Sequence, residues 1–528
     1  MNKKIFSLFA LSGILLCLSW CPLPTAALLF VAFIPMLYAL ELCKGKKNSF
    51  AWAGIYWTLL IWNIGTTWWV WNASAGGAAA AIVLNALLQS FPILLFYVLQ
   101  NKLPQKTKWF ALPIFFIAFE KIHLTWEFTW PWLTLGNGFA SFPQWVQWYE
   151  FTGHLGGSAW IWLCNISLYL AIFQNQNKPF FSRWIQPFAA MAVPLLFSFI
   201  IQYTHQKNEA AIKRETKNFV LVQPNIDPYN EKFNEGTEIN QVNKFLSLAE
   251  KNIDSTQSTI LVAPETALPS GIWWHHFEND EQIIPIRKFL QQHKNVSMVI
   301  GSTILEEYDS PKTPSASAFG KTGKFVDMFN TALLLDSTKT VQKYYKSKLV
   351  PGVERMPYPG FFKFLKPLLI NMGGVSDNTG TQEERTVFHV NNFGIAPLIC
   401  YESIYGSFVS KFVKNGANIL LIITNDGWWG NTPGHVQHFE YARLRAIETR
   451  RYVLQCANTG ISGVIDNKGN ILQKTDYWKE AVVKIKAPLF YDKTFFVKFG
   501  DELEWAVVAL AVMLVIAALL LNSLKLKI

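Results

Sequence analysis

The chain has 528 residues, 51% of them hydrophobic and 15% aromatic, more apolar surface than one soluble core buries, which excludes a disordered protein. Asp, Glu, Lys and Arg make up only 16%, against roughly 25% in soluble domains, and with 22 Trp and 41 Phe that deficit points to a membrane. The net charge of +11 would also suit a nucleic-acid binder, but residues 206–502 hold 34 basic and 31 acidic side chains, so most of the excess lies in the hydrophobic remainder, 13 against 5.

Seven apolar stretches precede the polar middle of the chain, at 5–21, 24–42, 51–71, 78–100, 108–123, 158–174 and 184–203, and an eighth follows at 505–524. A helix needs about 20 mostly apolar residues to cross the hydrocarbon, and eight spans are expected. The last, WAVVALAVMLVIAALLLNSL, is the clearest, and the fifth, which runs into Glu120 and Lys121, is the weakest. Residues 1–22 also have the form of a signal peptide, with Lys3 and Lys4 ahead of an apolar run. A second apolar stretch after the short CPLP turn favours a span, and neither Cys17 nor Cys21 follows the small residue that a lipoprotein signal requires.

The charges orient these spans. With a cytoplasmic N-terminus, the inner segments hold Lys3, Lys4, Lys44, Lys46, Lys47, Lys102, Lys106, Lys108, Lys178, Arg183, Lys525 and Lys527, leaving only Lys121 outside. This is the positive-inside bias of short loops. It predicts a seven-span domain over 1–205, an extracytoplasmic domain over 206–502 and a C-terminal transmembrane helix over 503–528 with a cytoplasmic end. The outer loop 124–157 is rich in Trp and has no Lys or Arg. Interfacial anchoring is the default for such a loop, and its length and Gly turns also allow a re-entrant segment.

From Phe219 onward, β-rich runs alternate with polar or helical stretches: FVLVQPN (219–225), TILVAPE (259–265), SMVIGSTIL (297–305), TALLLD (331–336), GIAPLIC (394–400) and NILLIITND (418–426). Nearly continuous apolar runs suit strands covered on both faces. Segment 435–451 has helical spacing, with Phe439, Ala442, Leu444 and Ile447 among charges. These predict a layered α/β domain of about 300 residues. There is no internal repeat, P-loop, GxGxxG or GxSxG, and His275, His276, His435 and His438 have no matching frame of Cys or carboxylate ligands for zinc.

Three reactive residues fall at or just past predicted strand ends: Glu265, Cys400 and Lys346. Ligands in α/β sheets gather at the carboxyl ends of strands, and a thiol needs a neighbouring base or cation to react well near neutral pH. Taken singly, each residue has a plainer reading. Cys400 and Cys456 are the only cysteines of the polar domain and could pair or lie inert; Glu265 could begin a helix; Lys346 stands in a run with Lys343 and Lys348.

The order VQPNI, APET, YYKSKLVP, LICYES and NDGWWG resembles the nitrilase superfamily with its Glu–Lys–Cys triad. Joined to seven preceding spans, one following span and WPWLTLGNG ahead of the sixth, it is similar to the bacterial apolipoprotein N-acyltransferase family over essentially the whole chain. The resemblance implies an α-β-β-α sandwich for the polar domain, with Glu265, Lys346 and Cys400 catalytic. Lys346 is favoured over Lys348 because it lies three residues before the Leu of LVP. Glu354, Tyr401 and Glu402 match supporting positions, and the disulfide becomes a minor alternative. Two departures stand out: LVPGVERMP where the family commonly reads LVPFGE, and Phe233 where a Trp is expected after the PNI-type motif.

The implied chemistry is ping-pong acyl transfer from the sn-1 position of a phospholipid such as phosphatidylethanolamine, through a Cys400 thioester, to the α-amine of a diacylglyceryl-modified N-terminal Cys of an apolipoprotein. Glu265 or Glu402 would accept the amine proton. No metal or cofactor is expected, no nucleic acid, and a monomer in the bacterial inner membrane. Independently of the resemblance, the apolar segments GIWWHHF (271–277) and YPGFFKFLKPLLI (358–370) follow Glu265 and Glu354, and exposed apolar segments need a partner. Trp273, Trp274, Phe361, Phe362 and Trp428 join Phe233 as candidate lipid contacts. A membrane-tethered amidase with the same triad and a transporter with an appended binding domain are the competing readings.

Overall fold

The computed structural model describes residues 2–105, 107–211, 213–254, 256–358 and 379–525. Phe361 and Phe362 lie outside them. The chain forms two compact units, one of Met1–Trp71, Ala78–Lys207 and Lys498–Ile528, the other of Asn72–Gly77 and Asn208–Val497.

In the first unit every one of the eight apolar stretches carries helix: α1 (Asn2–Leu18), α2 (Ile34–Leu42), α3 (Asn48–Thr67), α4 (Ala75–Leu99), α5 (Ala111–His123), α6 (Tyr149–Tyr169), α7 (Phe180–Ala211) and α12 (Phe495–Lys525). Among the described residues four are long and apolar enough to cross a membrane, over Ala75–Leu99, Tyr149–Gln174, Phe180–Asn208 and Phe495–Leu520. The other four are shorter or more polar than these, and α1 has 17 residues. The second stretch is split between a 3₁₀ turn at Ala26–Phe30 and the 9-residue α2, α5 has only 13 residues and ends in charge, and α3 carries Thr58, Asn63, Thr66 and Thr67.

Those polar residues are buried and partnered, as groups removed from water must be. Asn85 donates to Asn63 at 2.7 Å, Asn63 to Gln89 at 3.0 Å, and Trp126 to His123 at 2.9 Å. Lys121 is wholly enclosed and pairs with Asp501 and, at 2.7 Å, with Glu504 of α12.

The Trp-rich loop is not a surface belt. Trp130, Trp132, Leu133, Leu135, Phe139 and Trp148 are buried, Trp132 packs edge-on against Trp69, and the Glu120 carboxylate accepts the Leu135 N–H at 2.7 Å. Gly136 is required here, because a Cβ would come within 1.7 Å of the His154 carbonyl.

The second unit contains two sheets. The larger is ordered β14 (Ala481–Pro488), β1 (Thr216–Gln223), β2 (Thr259–Val262), β4 (Val296–Tyr308), β6 (Phe325–Leu335), β5 (Ser317–Ala318), with β3 (Leu268–Trp273) on β4 and β7 (Val341–Tyr345) on β6. The smaller is ordered β13 (Ile471–Lys474), β12 (Gly463–Ile465), β11 (Tyr452–Ala457), β10 (Ala417–Thr424), β9 (Phe393–Ile399), β8 (Phe388–Val390). Strands β1, β2 and β4 run parallel, as do β9, β10 and β11, so each sheet has a parallel centre.

Helices α8 (Glu238–Glu250) and α9 (Ile283–Gln292) cover the outer face of the larger sheet through Val242, Phe245, Ile286 and Leu290. Helices α10 (Gly406–Lys414) and α11 (Pro433–Thr449) pack on the smaller one. The inner faces meet at Cys456, whose thiol donates to the carbonyls of Val222 at 3.3 Å and Val262 at 3.4 Å. The layers are therefore α-β-β-α, and Cys400 and Cys456 are both free thiols.

Candidate active site

The parallel strands of both sheets deliver their carboxyl ends to one place. Glu265 follows β2, Cys400 follows β9 and Asn425 follows β10. The Asn425 N–H donates to Glu265 Oε2 at 3.1 Å, joining the sheets at the site. Lys346 follows β7, anchored by its own N–H on the Asn330 carbonyl at 2.8 Å.

Lys346 Nζ lies 3.1 Å from Glu265 Oε1 and 2.8 Å from Glu354 Oε1. Burial alone would lower this ammonium, but the two carboxylates outweigh it and hold Lys346 well above the ordinary lysine range. An ammonium has three protons; two go to these carboxylates and one remains. Asn330 ties the same carboxylates together, its Nδ2 donating to Glu265 at 2.8 Å and to Glu354 at 3.3 Å.

The substitution of LVPGVE for LVPFGE does not move Glu354 away. Gly352 adopts φ +80, the Glu354 N–H returns to the Val350 carbonyl at 2.9 Å, and Glu354 Oε2 takes the Val350 N–H at 2.9 Å. That closed turn aims Oε1 at Lys346. Only glycine enters the left-handed region without penalty.

Cys400 has φ +51, unusual for a residue with a side chain, and opens a 3₁₀ turn, Cys400–Ile404. Burial pushes its thiol well up, the Glu265 charge pushes it further, and Lys346 pulls it partly back. Both other members of the expected triad thus act electrostatically on this sulfur.

Tyr401 is buried against Tyr405, ring centroids 5.3 Å apart. Glu402 is wholly buried and committed: Oε1 accepts the Tyr344 hydroxyl at 2.6 Å, the Ser347 N–H at 2.7 Å and the Lys348 N–H at 3.3 Å, and Oε2 accepts the Ile399 N–H at 2.9 Å. Glu402, expected as one of two groups that could accept a substrate proton, spends these bonds on the chain itself. Its oxygens fasten the Lys346 loop to the strand end that carries Cys400.

The aromatic candidates divide. Phe233 stacks on Trp428, centroids 6.0 Å apart and planes 16° apart, and Tyr229 meets Trp428 edge-on while donating to its carbonyl at 2.7 Å. With Phe233 and Tyr229 both 52% exposed, the cluster presents an exposed apolar face. Trp273 rests edge-on against Phe319, centroids 5.5 Å apart. Trp274 packs on Phe277 and under Lys343, whose Nζ lies 4.0 Å from its ring, and belongs with the domain core rather than to a free arm.

Several residues at this site have no counterpart in the sequence reading. Besides Asn330 and Asn425, Lys232 is buried and donates to the Glu265 carbonyl at 2.9 Å, burial bringing it down to about 7. Lys232 immediately precedes Phe233, and a lysine beside the expected aromatic was the available signal.

The profile of the carbon-nitrogen hydrolase family matches residues 220–489, and the profile of the apolipoprotein N-acyltransferase N-terminal domain matches residues 12–167. The chain belongs to the carbon-nitrogen hydrolase family. Within it the chain falls with the apolipoprotein N-acyltransferases, as the sequence resemblance implied. The enzyme of that name from Chlorobaculum tepidum is 29% identical over 98% of this chain and 97% of its own, and that from Geobacter metallireducens is 27% identical over 98% and 95%. Among solved structures, a Saccharomyces cerevisiae member of branch 10 of the nitrilase superfamily covers 52% of this chain and 90% of its own, at 15% identity and TM-score 0.36. An amidase from Nesterenkonia covers 53% and 93%, at 15% identity and TM-score 0.34.

Proposed function

We propose that this chain acylates the α-amine of a diacylglyceryl-modified N-terminal cysteine of apolipoproteins, taking the acyl group from the sn-1 position of a phospholipid of the phosphatidylethanolamine kind. Glu265 removes the Cys400 thiol proton. The thiolate attacks the ester carbonyl, and the third N–H of Lys346 meets the oxyanion, a contact worth roughly 3–4 kcal/mol where one such donor has been removed elsewhere. The C–O bond breaks, the proton on Glu265 passes to the lysophospholipid alkoxide, and a thioester remains. The acceptor amine then attacks the thioester, the C–S bond breaks, and Glu265 takes the amine proton and returns it to the Cys400 thiolate, while Glu402 stays engaged with the backbone N–H groups of Ser347 and Ile399. Glu354 and Asn330 keep Lys346 and Glu265 at their separation.

The observation that carries this reading is the meeting of Glu265 and Lys346 around the Cys400 thiol, in a chain whose relatives bear the name apolipoprotein N-acyltransferase. The exposed Tyr229 and Phe233 rings, with the half-buried Trp428 between them, supply an apolar approach for a lipid donor. The protein acts as a monomer in the bacterial inner membrane. It spans the membrane eight times, with both termini cytoplasmic and the catalytic domain outside, an orientation supported by the lysines and arginines of the short loops.

Intact mass of protein purified from membranes tests the chemistry. Wild type carries a fatty-acyl adduct that Cys400→Ala lacks and that a diacylglyceryl peptide discharges as amide. An adduct discharged only by water points to a hydrolase instead, and absence of adduct under every condition overturns the proposal. Membrane-impermeant labelling of single cysteines placed at Lys44 and Lys468 tests the orientation, with only the latter labelled in intact cells.

A further inference from the structure

Behind the nucleophile lies a buried pair that the mechanism above does not use. His438, on α11, and Asp426, just past β10, are both wholly buried. His438 Nδ1 is 3.1 Å from both Asp426 oxygens. Its opposite edge, Nε2, is 3.1 Å from the Cys400 carbonyl and 2.9 Å from Ser403 Oγ, and that hydroxyl itself donates to the Cys400 carbonyl at 2.8 Å. On the strand side, Thr424 donates to Asp426 Oδ1 at 2.5 Å and holds that carboxylate in place.

A buried histidine with a carboxylate can be mere packing. What distinguishes this one is where its second nitrogen points, at the carbonyl of Cys400, a residue with a side chain whose backbone is held left-handed at φ +51. A non-glycine residue stays in that region only where its surroundings over-determine it. Nδ1 faces a carboxylate and Nε2 a carbonyl, so in the imidazolium form both ring nitrogens donate, one to Asp426 and one to the Cys400–Ser403 turn. Asp426 opposes the burial of this imidazole and keeps it above the ordinary histidine range.

We propose that His438, held by Asp426, is a positioning residue that fixes the Cys400 backbone and thereby aims its sulfur. The inference rests on Cys400 being the nucleophile. Removing one of the two donors to the Cys400 carbonyl, and with it the imidazole edge that also holds Ser403, lets the turn relax and moves the sulfur off its line of attack. Misplacement of about 1 Å costs on the order of a hundredfold in rate. The loss falls on the rate of acylation and not on lipid binding, because His438 is buried behind the turn.

The test compares His438→Gln with His438→Met in the full-length protein, in micelles containing phosphatidylethanolamine. Both side chains fill the cavity and both deprive Asp426 of its cation, but only Gln offers an N–H to the carbonyl. Single-turnover acylation of Cys400 is followed by intact mass across phospholipid concentrations. The maximal rate is expected to fall by at least about tenfold in His438→Met and to stay within about threefold of wild type in His438→Gln, with half-saturation unchanged. Equal losses in the two variants, no loss in either, or a change in half-saturation alone would overturn the proposal. If the single variants do not accumulate, the pair is repeated with Asp426→Asn, which takes away the unpaired buried charge. Wild type that forms no Cys400 adduct defeats the acyl-transfer reading itself, and is thereby told apart from failure of the positioning role.

Discussion

Glu402 Oε1 accepts the backbone N–H of Ser347 at 2.7 Å, so the carboxylate two residues after the nucleophile holds the residue immediately after Lys346. Its other oxygen holds Ile399 at 2.9 Å. One side chain therefore sets the separation of cation and thiol. Glu402→Ala strips partners from three backbone N–H groups and the Tyr344 hydroxyl. At about 1–3 kcal/mol for each buried group left unpaired, thermal unfolding of the variant is expected well below wild type, with acylation reduced by at least about a hundredfold. Glu402→Gln keeps one acceptor oxygen and should lie between them in both measurements. An unfolding temperature for Glu402→Ala equal to wild type would show that the carboxylate does not bind the loops together.

The charges around Cys400 predict opposite effects on its reactivity and its catalysis. Burial and Glu265 raise the thiol and Lys346 lowers it, so the thiolate fraction rises with pH and keeps rising past about 8.5, where a free thiol is half ionised. Alkylation of Cys400 by iodoacetamide, read by peptide mass, should follow that curve. Glu265→Gln removes a charge that raises the thiol, and alkylation at pH 8 should quicken even though acyl transfer is abolished. Lys346→Met removes the charge that lowers it, and alkylation should slow. A plateau below pH 8 in wild type would contradict the arrangement.

Asn330 bridges Glu265 and Glu354 through a single amide nitrogen. Asn330→Leu leaves Lys346 as the sole link between the carboxylates. Acylation is expected to fall about tenfold to a hundredfold at unchanged half-saturation, because what is lost is alignment rather than lipid contact. Asn330→Asp should be worse, placing a third carboxylate beside two others. Single-turnover kinetics measure both, and a defect confined to half-saturation would instead assign Asn330 to substrate binding.

Lys121 pairs with Asp501 and Glu504 inside the helical unit. Breaking a buried ion pair by removing one partner costs about 3–5 kcal/mol, because the other charge is left uncompensated. Lys121→Met should lower the unfolding temperature in micelles. Lys121→Met combined with Asp501→Asn and Glu504→Gln should recover most of the loss. A triple variant no more stable than the single would mean the cost is one of packing.

The parts of the fold that follow from local pattern were legible in the chain. Hydropathy located all eight apolar helices, and runs such as TILVAPE and GIAPLIC located the strands that end at Glu265 and Cys400. What hydropathy could not settle was which stretches are long enough to span: the last turn of α5 carries a lysine whose partners lie 380 and 383 positions away. The Trp-rich loop read as a belt because tryptophan is at home at an interface, whereas here its rings and turns are packed inside the unit. Strands β7 and β13 were missed because half-exposed polar strands have no continuous apolar run, and the buried β12 because it is only three residues long.

At the site, residue chemistry at strand ends and the order of short motifs were enough to single out Glu265, Lys346 and Cys400 and to point to the family. The sequence by itself determined those candidates, the apolar segments and the distribution of charge, because each is a property of residue type and local spacing. Only the tertiary structure decided that Glu402 fastens loops, that Gly352 returns Glu354 to Lys346, and that Asn330 and His438 stand beside Glu265 and Cys400. Those roles depend on contacts made across two sheets, between residues from 3 to 65 positions apart, and no periodicity records which distant donor will meet which acceptor once the sheets have closed on one another.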